Sequence, residues 1–127
     1  MAVRFKAVKR RNPSDPGAAQ KYYATTIASG SIDFKKLAKL IAGQCTARVA
    51  DCQAVLAALE ENIIACLQDG NIVQLDGIGT LRLSVSAEGQ PTEEVVSHQN
   101  VKKARILFRP GSGLSETLKN LKYQKAS

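Results

Sequence analysis

Apolar residues in this chain change their spacing near residue 70. Between residues 34 and 67 they recur every three to four positions, which is the spacing of amphipathic helices. After residue 70 they alternate with polar residues, which is the spacing of half-buried strands. Such a change within 127 residues predicts a single α+β domain, long enough to form a core without disulfides or metals.

Two helices are expected to form a hairpin in the first half of the chain. The first is predicted to have its N-cap at Ser31 and to end at Gly43. The second is predicted to begin after an N-cap at Thr46 and to end at the Asp-Gly-Asn cluster of residues 69–71.

Strands are expected on both sides of this hairpin. Residues 76–77 and 88–91 have the composition of turns, so residues 78–108 are predicted to form a long ribbon with a polar outer part. The predicted strands are 3–9, 21–28, 72–75, 78–86 and 95–108, followed by a terminal helix at 114–123.

The net charge of +7 is distributed unevenly along the chain. Residues 1–30 carry +5, residues 31–80 carry −2, and residues 81–127 carry +4. A basic face that binds a polyanion would produce such a pattern, whereas a uniform solubilising coat would not.

Residues typical of enzymes are scarce. The single histidine, His98, lies in the polar ribbon, and Gly77-Ile78-Gly79 lacks the third glycine of a dinucleotide-binding motif. The three cysteines form no CxxC pair, and Cys52 and Cys66 are expected to be small core residues. We therefore predict no enzyme activity, no cofactor, no metal site and no small-molecule substrate.

The composition also predicts the compartment. The apolar runs are too short to span a membrane, and no apolar segment follows the basic N-terminus as in a signal peptide. The cysteine pattern favours a reducing compartment. A cytoplasmic protein without a membrane partner is therefore expected.

The basic residues are the better candidates for function, as contacts to phosphate. Most lie on or next to the predicted ribbon, and a two-stranded ribbon is one of the elements that enter a DNA groove. Others lie on the first helix or in the loop that follows the first strand. The predicted DNA-binding residues are Arg82, Lys102, Lys103, Arg105, Arg109, Lys35, Lys36, Arg10 and Arg11.

Two motifs in the second half of the chain resemble those of the HU/IHF histone-like DNA-binding family. They are Leu75-Asp76-Gly77-Ile78-Gly79-Thr80-Leu81 before the ribbon and Phe108-Arg109-Pro110-Gly111-Ser112-Gly113-Leu114 after it. The first thirty residues are similar to the longer HU-like branch typical of Bacteroidetes. The residues that carry this second resemblance are Lys9, Asn12, Pro13, Lys21, Tyr22, Tyr23 and Ala24.

The resemblance implies an HU-like fold: a helical hairpin, a three-stranded sheet with an extended β-arm at about 82–107, and a short C-terminal helix. Residues 31–127 would form this domain, and residues 1–30 would add a strand pair packed on its core. The implied bacterial protein is an intertwined homodimer in the nucleoid, which binds and condenses double-stranded DNA with low sequence specificity. Its arms would reach into the minor groove, with Pro91 as a possible intercalating wedge.

The apolar stripe of the second helix independently favours a dimer. With the apolar residues near the Gly77-Ile78-Gly79 turn, it offers more apolar surface than a small helical hairpin covers alone. The predicted dimer core consists of Val49, Leu56, Leu59, Ile63, Ile78, Leu81 and Phe108.

Two questions stay open from the sequence. The predicted arm tip carries Glu88, Glu93 and Glu94 and lacks the Arg-Asn that precedes the family's proline, which favours an alternative function as an HU-like protein-interaction module with weak or no DNA binding. The N-terminal strand pair could cover an apolar surface or add phosphate contacts.

Overall fold

A computed structural model describes residues 2–11, 13–15 and 17–126. The described chain contains three α-helices and six strands, and the strands form two separate three-stranded sheets. The elements are β1 (Val3–Arg10), β2 (Lys21–Ile27), α1 (Phe34–Ala42), α2 (Val49–Gln68), β3 (Val73–Gln74), β4 (Gly79–Ala87), β5 (Val101–Pro110), α3 (Ser112–Thr117) and β6 (Tyr123–Lys125).

The predicted helical hairpin is present, but both of its N-caps were predicted wrongly. Helix α1 is capped by Asp33, whose carboxylate accepts a hydrogen bond of 2.9 Å from the backbone N–H of Lys36, and Ser31 lies outside the helix. Helix α2 begins after Arg48, not after Thr46. In each case a carboxylate, that of Asp33 for α1 and that of Asp51 for α2, accepts a hydrogen bond from a backbone N–H at the start of the helix and interacts favourably with the positive end of the helix dipole.

The second sheet has the strand order β3-β4-β5 and is antiparallel throughout. Strands β4 and β5 form the ribbon, with Gly79 opposite Pro110 at its base. At Ala87 the register shifts, because Lys102 is an extra residue on β5. Such a bulge bends the bulged strand and increases its local twist.

The two sequence motifs meet at the base of this ribbon. The backbone N–H of Gly111 donates to the carbonyl of Ile78 at 2.9 Å, and that of Leu114 donates to the carbonyl of Gly77 at 3.2 Å. A Cβ atom at Gly111 would lie 2.6 Å from the carbonyl oxygen of Asp76. Glycine is required there because two backbone segments pack directly against each other.

The ribbon is shorter than the sequence predicted. Strand pairing ends at Val101, so the strand expected over 95–108 begins six residues late. Residues 88–100 form a connection with two short 3₁₀ turns, closed by a hydrogen bond of 3.1 Å from the N–H of Glu88 to the carbonyl of Asn100. Because this connection is mostly polar, a ribbon continued through it would have no apolar face to bury. An unsupported hairpin of that kind is only marginally stable.

The first sheet contains both ends of the described chain, with strand order β2-β1-β6. Strands β1 and β2 are antiparallel, which confirms their predicted pairing. The terminal helix predicted over 114–123 was wrong beyond Thr117, because the chain turns after α3 and Tyr123 enters β6, parallel to β1. The N–H of Val3 donates to the carbonyl of Lys122 at 2.7 Å, which fixes the start of this pairing.

Few side chains of the single chain are buried. Among the described residues, only three apolar side chains are buried, namely Ala38, Cys52 and Leu67, and Cys66 is exposed, contrary to its predicted place in the core. Helix α1 has nine residues and α2 has 20, so α1 can cover only part of the apolar stripe of α2 within one chain. The predicted dimer-core residues Leu59, Ile78 and Phe108 are 43%, 56% and 47% exposed.

We expect Gly79→Ala to lower the free energy of unfolding by about 1–3 kcal/mol. Gly79 has a φ of 154°, and a Cβ atom there would lie 2.5 Å from the carbonyl oxygen of Arg109. Gly89→Ala is the control, since nothing lies within 4 Å of its added methyl group. Thermal or urea unfolding measures both variants, and equal stabilities would contradict the proposed strain at Gly79.

Candidate nucleic-acid interface

The register of β4 and β5 gathers four of the predicted DNA-binding residues on one face of the ribbon. Ser84 pairs with Arg105 and Ser86 with Lys103. Arg82 lies opposite Leu107, and Arg109 lies opposite Thr80. Directly paired residues share a side of a sheet, and alternate residues along a strand do so too. We call the face formed by Arg82, Lys103, Arg105 and Arg109 the basic ribbon face.

Hydroxyl groups are interleaved with these cations. Thr80, Ser84 and Ser86 occupy the β4 positions of the same face. A cleft of about 410 Å³ at the base is lined by Ile72, Gln74, Thr80, Arg82, Leu107 and Arg109. Guanidinium, ammonium and hydroxyl groups are the side chains that most often bind phosphate oxygens. The sequence-based selection missed the three hydroxyls, although their alternation with apolar residues over 80–86 was visible.

The opposite face of the ribbon is apolar. Its β4 positions are Gly79, Leu81, Leu83, Val85 and Ala87, and its β5 positions are Val101, Ala104, Ile106, Phe108 and Pro110. Several of these side chains are open to solvent in the single chain, with Val85 58% and Ile106 60% exposed. Exposed contiguous apolar surface of this kind marks a contact with another molecule.

Lys102 differs from the other basic residues of the arm. As the bulged residue it lies outside the regular pairing, and its ammonium forms an ion pair of 2.7 Å with the carboxylate of Glu88. Both side chains are more than half exposed, so the pair adds little stability. It does place a negative charge next to Lys102, which reduces the positive potential that Lys102 offers to a phosphate.

The remaining predicted residues lie on two other parts of the molecule. Lys35 and Lys36 are exposed on the first turn of α1. Arg10 is the last residue of β1 and Arg11 follows it, and both line a cleft of about 470 Å³ with Tyr23. The structure thus brings together four of the nine predicted DNA-binding residues and distributes the others.

The tip of the arm is exposed and acidic. Pro91 lies in the 88–100 connection, between Glu88 and the 3₁₀ turn that contains Glu93 and Glu94. An exposed proline is accessible to a base step, but the nearby carboxylates repel phosphates.

The described residues include three free cysteines, of which Cys52 is buried. No group of three or more metal-ligating side chains occurs among those residues. Burial raises the pKa of the Cys52 thiol, and the neighbouring Cys45 and Asp51 raise it further. Within the same residues, no helix has the length and apolarity needed to cross a bilayer.

The chain matches the model of the HU-HIG family, described as an HU domain fused to wHTH, Ig, or glycine-rich motif, over residues 1–125. It belongs to this family. The resemblance to HU-like proteins seen in the sequence is thereby confirmed, and the match covers the N-terminal strands as well as the helices and arm.

A solved structure shares this fold. It is a candidate bacterial DNA-binding protein from Bacteroides vulgatus ATCC 8482, with a TM-score of 0.65, 13% sequence identity and 99% of the present chain covered. The chain spans 50% of that protein's length. No curated protein matches the sequence.

Proposed function

We propose that this HU-HIG protein binds double-stranded DNA through the basic ribbon face, as a nucleoid-associated architectural protein. The observation that carries the proposal is the strand register, which places Arg82, Lys103, Arg105 and Arg109 on one face with no acidic residue among their paired positions. Membership of an HU family and the fold shared with a candidate DNA-binding protein support the same conclusion.

The composition of this face favours low sequence specificity. Lysine, arginine, serine and threonine side chains bind phosphate oxygens, and such contacts carry little sequence information. A ribbon that presents them along its length follows the DNA backbone rather than reading base edges. Condensation of DNA would then result from many such contacts along one duplex.

A homodimer is part of the proposal. The apolar ribbon face and the exposed apolar side chains of α2 form the surface that a second copy would cover. The single chain buries few apolar side chains, and a dimer would bury more of them. Two arms would then project from one body and hold a duplex between them. A dimer also doubles the number of cations that act on one DNA molecule.

The acidic tip favours a second candidate function, an HU-like module that binds a protein. Glu88, Glu93 and Glu94 lie at the end of the arm that would reach furthest around DNA. A basic protein surface would suit this tip better than a phosphate backbone does. Titration of the unaltered protein with duplex DNA at low salt separates the two candidates.

We expect Lys103→Ala and Arg105→Ala each to weaken duplex binding and to reduce the slope of log K against log salt by about one. Each change removes one phosphate contact from the basic ribbon face. Fluorescence anisotropy with a mixed-sequence duplex, over a series of salt concentrations, measures both quantities.

Lys9→Ala is the matched control for these variants. Lys9 is an exposed lysine of β1 whose side chain lies on the side of the first sheet that carries Tyr22. Its removal lowers the net charge equally but leaves the ribbon intact. If the Lys103 and Arg105 variants behave like this control, the ribbon is not the DNA contact. If the unaltered protein fails to bind duplex at low salt, the protein-binding function is favoured.

Leu59→Glu is expected to dissociate or unfold the dimer. In the single chain Leu59 is 43% exposed, so a carboxylate there would be tolerated unless a partner covers it. Burial of that charge at an interface costs several kcal/mol. Light scattering at micromolar concentration should show twice the chain mass of 13.6 kDa for the unaltered protein and less for the variant.

Ala57→Glu provides the control on the same helix. Ala57 lies two positions earlier, on the side of α2 away from Leu59, and is exposed. The Ala57→Glu substitution adds the same charge outside the proposed dimer core. A mass of one chain for the unaltered protein, or identical behaviour of the two variants, would overturn the proposed interface.

Pro91→Ala is expected to reduce DNA bending while it changes affinity little. The pyrrolidine ring would act as a wedge between base pairs, and alanine is too small to keep a step unstacked. Energy transfer between dyes at the two ends of a duplex measures the bend. An unchanged end-to-end distance would remove Pro91 from the mechanism.

A further inference from the structure

The first sheet carries a strong positive charge that the ribbon does not explain. Strands β1, β2 and β6 contain six basic residues and no acidic residue. The positions are Arg4, Lys6, Lys9 and Arg10 on β1, Lys21 on β2 and Lys125 on β6. Such a concentration of one charge on a small sheet opposes its folding unless a counter-charge or a bound anion offsets the repulsion.

The strand register sorts these charges onto two unequal faces. Arg4 pairs with Ile27, Lys6 with Thr25, Val8 with Tyr23 and Arg10 with Lys21. One face therefore carries Arg4, Lys6, Arg10 and Lys21 together with Tyr23. The other face carries only Lys9 and Lys125, among Val3, Phe5, Tyr22 and Tyr123. We call the first of these the basic sheet face.

Arg10 and Lys21 lie side by side on the basic sheet face, and no carboxylate of the described residues neutralises them. They are direct cross-strand neighbours, and like charges in that arrangement destabilise a sheet. Within residues 2–11, 13–15 and 17–126, neither forms an ion pair with a carboxylate. The guanidinium of Arg10 instead donates to the hydroxyl of Thr25 at 3.3 Å, which holds it over this face. A bound anion would relieve the repulsion.

We infer that the basic sheet face is a second binding surface for the nucleic-acid backbone, separate from the basic ribbon face. This inference rests on the DNA binding proposed above and extends it to the first sheet. The sheet would hold either a further stretch of the duplex bound by the arms or another duplex, so that one protein contacts DNA at two places.

Nucleic acid fits this face better than a compact anion does. Along β1, alternate residues lie about 6.6 Å apart, so Arg4, Lys6 and Arg10 form an extended row of charges rather than a single pocket. A row of cations matches a polymer of phosphates. The cleft that Tyr23 lines with Arg10 and Arg11 lies at one end of the row. There the two guanidinium groups can donate hydrogen bonds to a phosphate.

Paired lysine substitutions on the two faces of this sheet test the inference. Lys6→Gln with Lys21→Gln removes two charges from the basic sheet face, and Lys9→Gln with Lys125→Gln removes two from the other face. The first pair should reduce the salt slope of duplex binding by about two, and the second should leave it unchanged. Circular dichroism and thermal unfolding confirm that both variants are folded.

The same pairs are also measured in the Lys103→Ala, Arg105→Ala background. There the remaining binding should depend on Lys6 and Lys21 and not on Lys9 and Lys125. If the unaltered protein binds duplex and the ribbon variants weaken it, but the two lysine pairs behave alike, the inference fails and the proposed function stands. If the unaltered protein binds no duplex, both fail.

Vesicles of phosphatidylcholine and phosphatidylserine serve as the competing polyanion. A membrane-binding sheet would lose vesicle binding on Lys6→Gln with Lys21→Gln while duplex binding stays at the level of the control pair. That result would overturn the inference. Loss of duplex binding without an effect on vesicles supports it.

Discussion

The packing of the 76–79 turn against the 110–114 segment is the contact on which the basic ribbon face depends. Two backbone hydrogen bonds join the segments, and Gly79 and Gly111 allow an approach that a Cβ atom would block. This contact places Gly79 opposite Pro110 and thereby sets the register of the whole ribbon. A slip of one residue would move Arg82 to the apolar face.

Because of this register, the two faces of the ribbon differ in their chemistry. One side concentrates positive charge among hydroxyls, which suits a phosphate backbone. The other side is apolar and incompletely covered within one chain, which suits a second copy. The arrangement would link the proposed DNA binding to the proposed dimer, because the same strands that hold the cations also supply part of the apolar surface that a partner would bury.

The first sheet adds a second concentration of charge. Strand β6 returns the end of the described chain to β1, so that this sheet is closed by segments more than one hundred residues apart in sequence. The pairing places Arg10 beside Lys21, and within the described residues neither side chain forms an ion pair with a carboxylate. A stable protein retains such a repulsive pair more readily when an external anion compensates for it.

The sequence alone determined the types of helices α1 and α2 and of strands β1 to β5, the helical hairpin, the pairing of β1 with β2 and the HU-like motifs, because each depends on local periodicity or on glycines within a few residues. Only the tertiary structure decided the end of the ribbon at Ala87, the ion pair of Lys102 with Glu88 and the return of β6 to β1. These features depend on contacts between distant residues. No local pattern distinguishes Lys102, displaced by a bulge, from Lys103, which stays in register with Ser86.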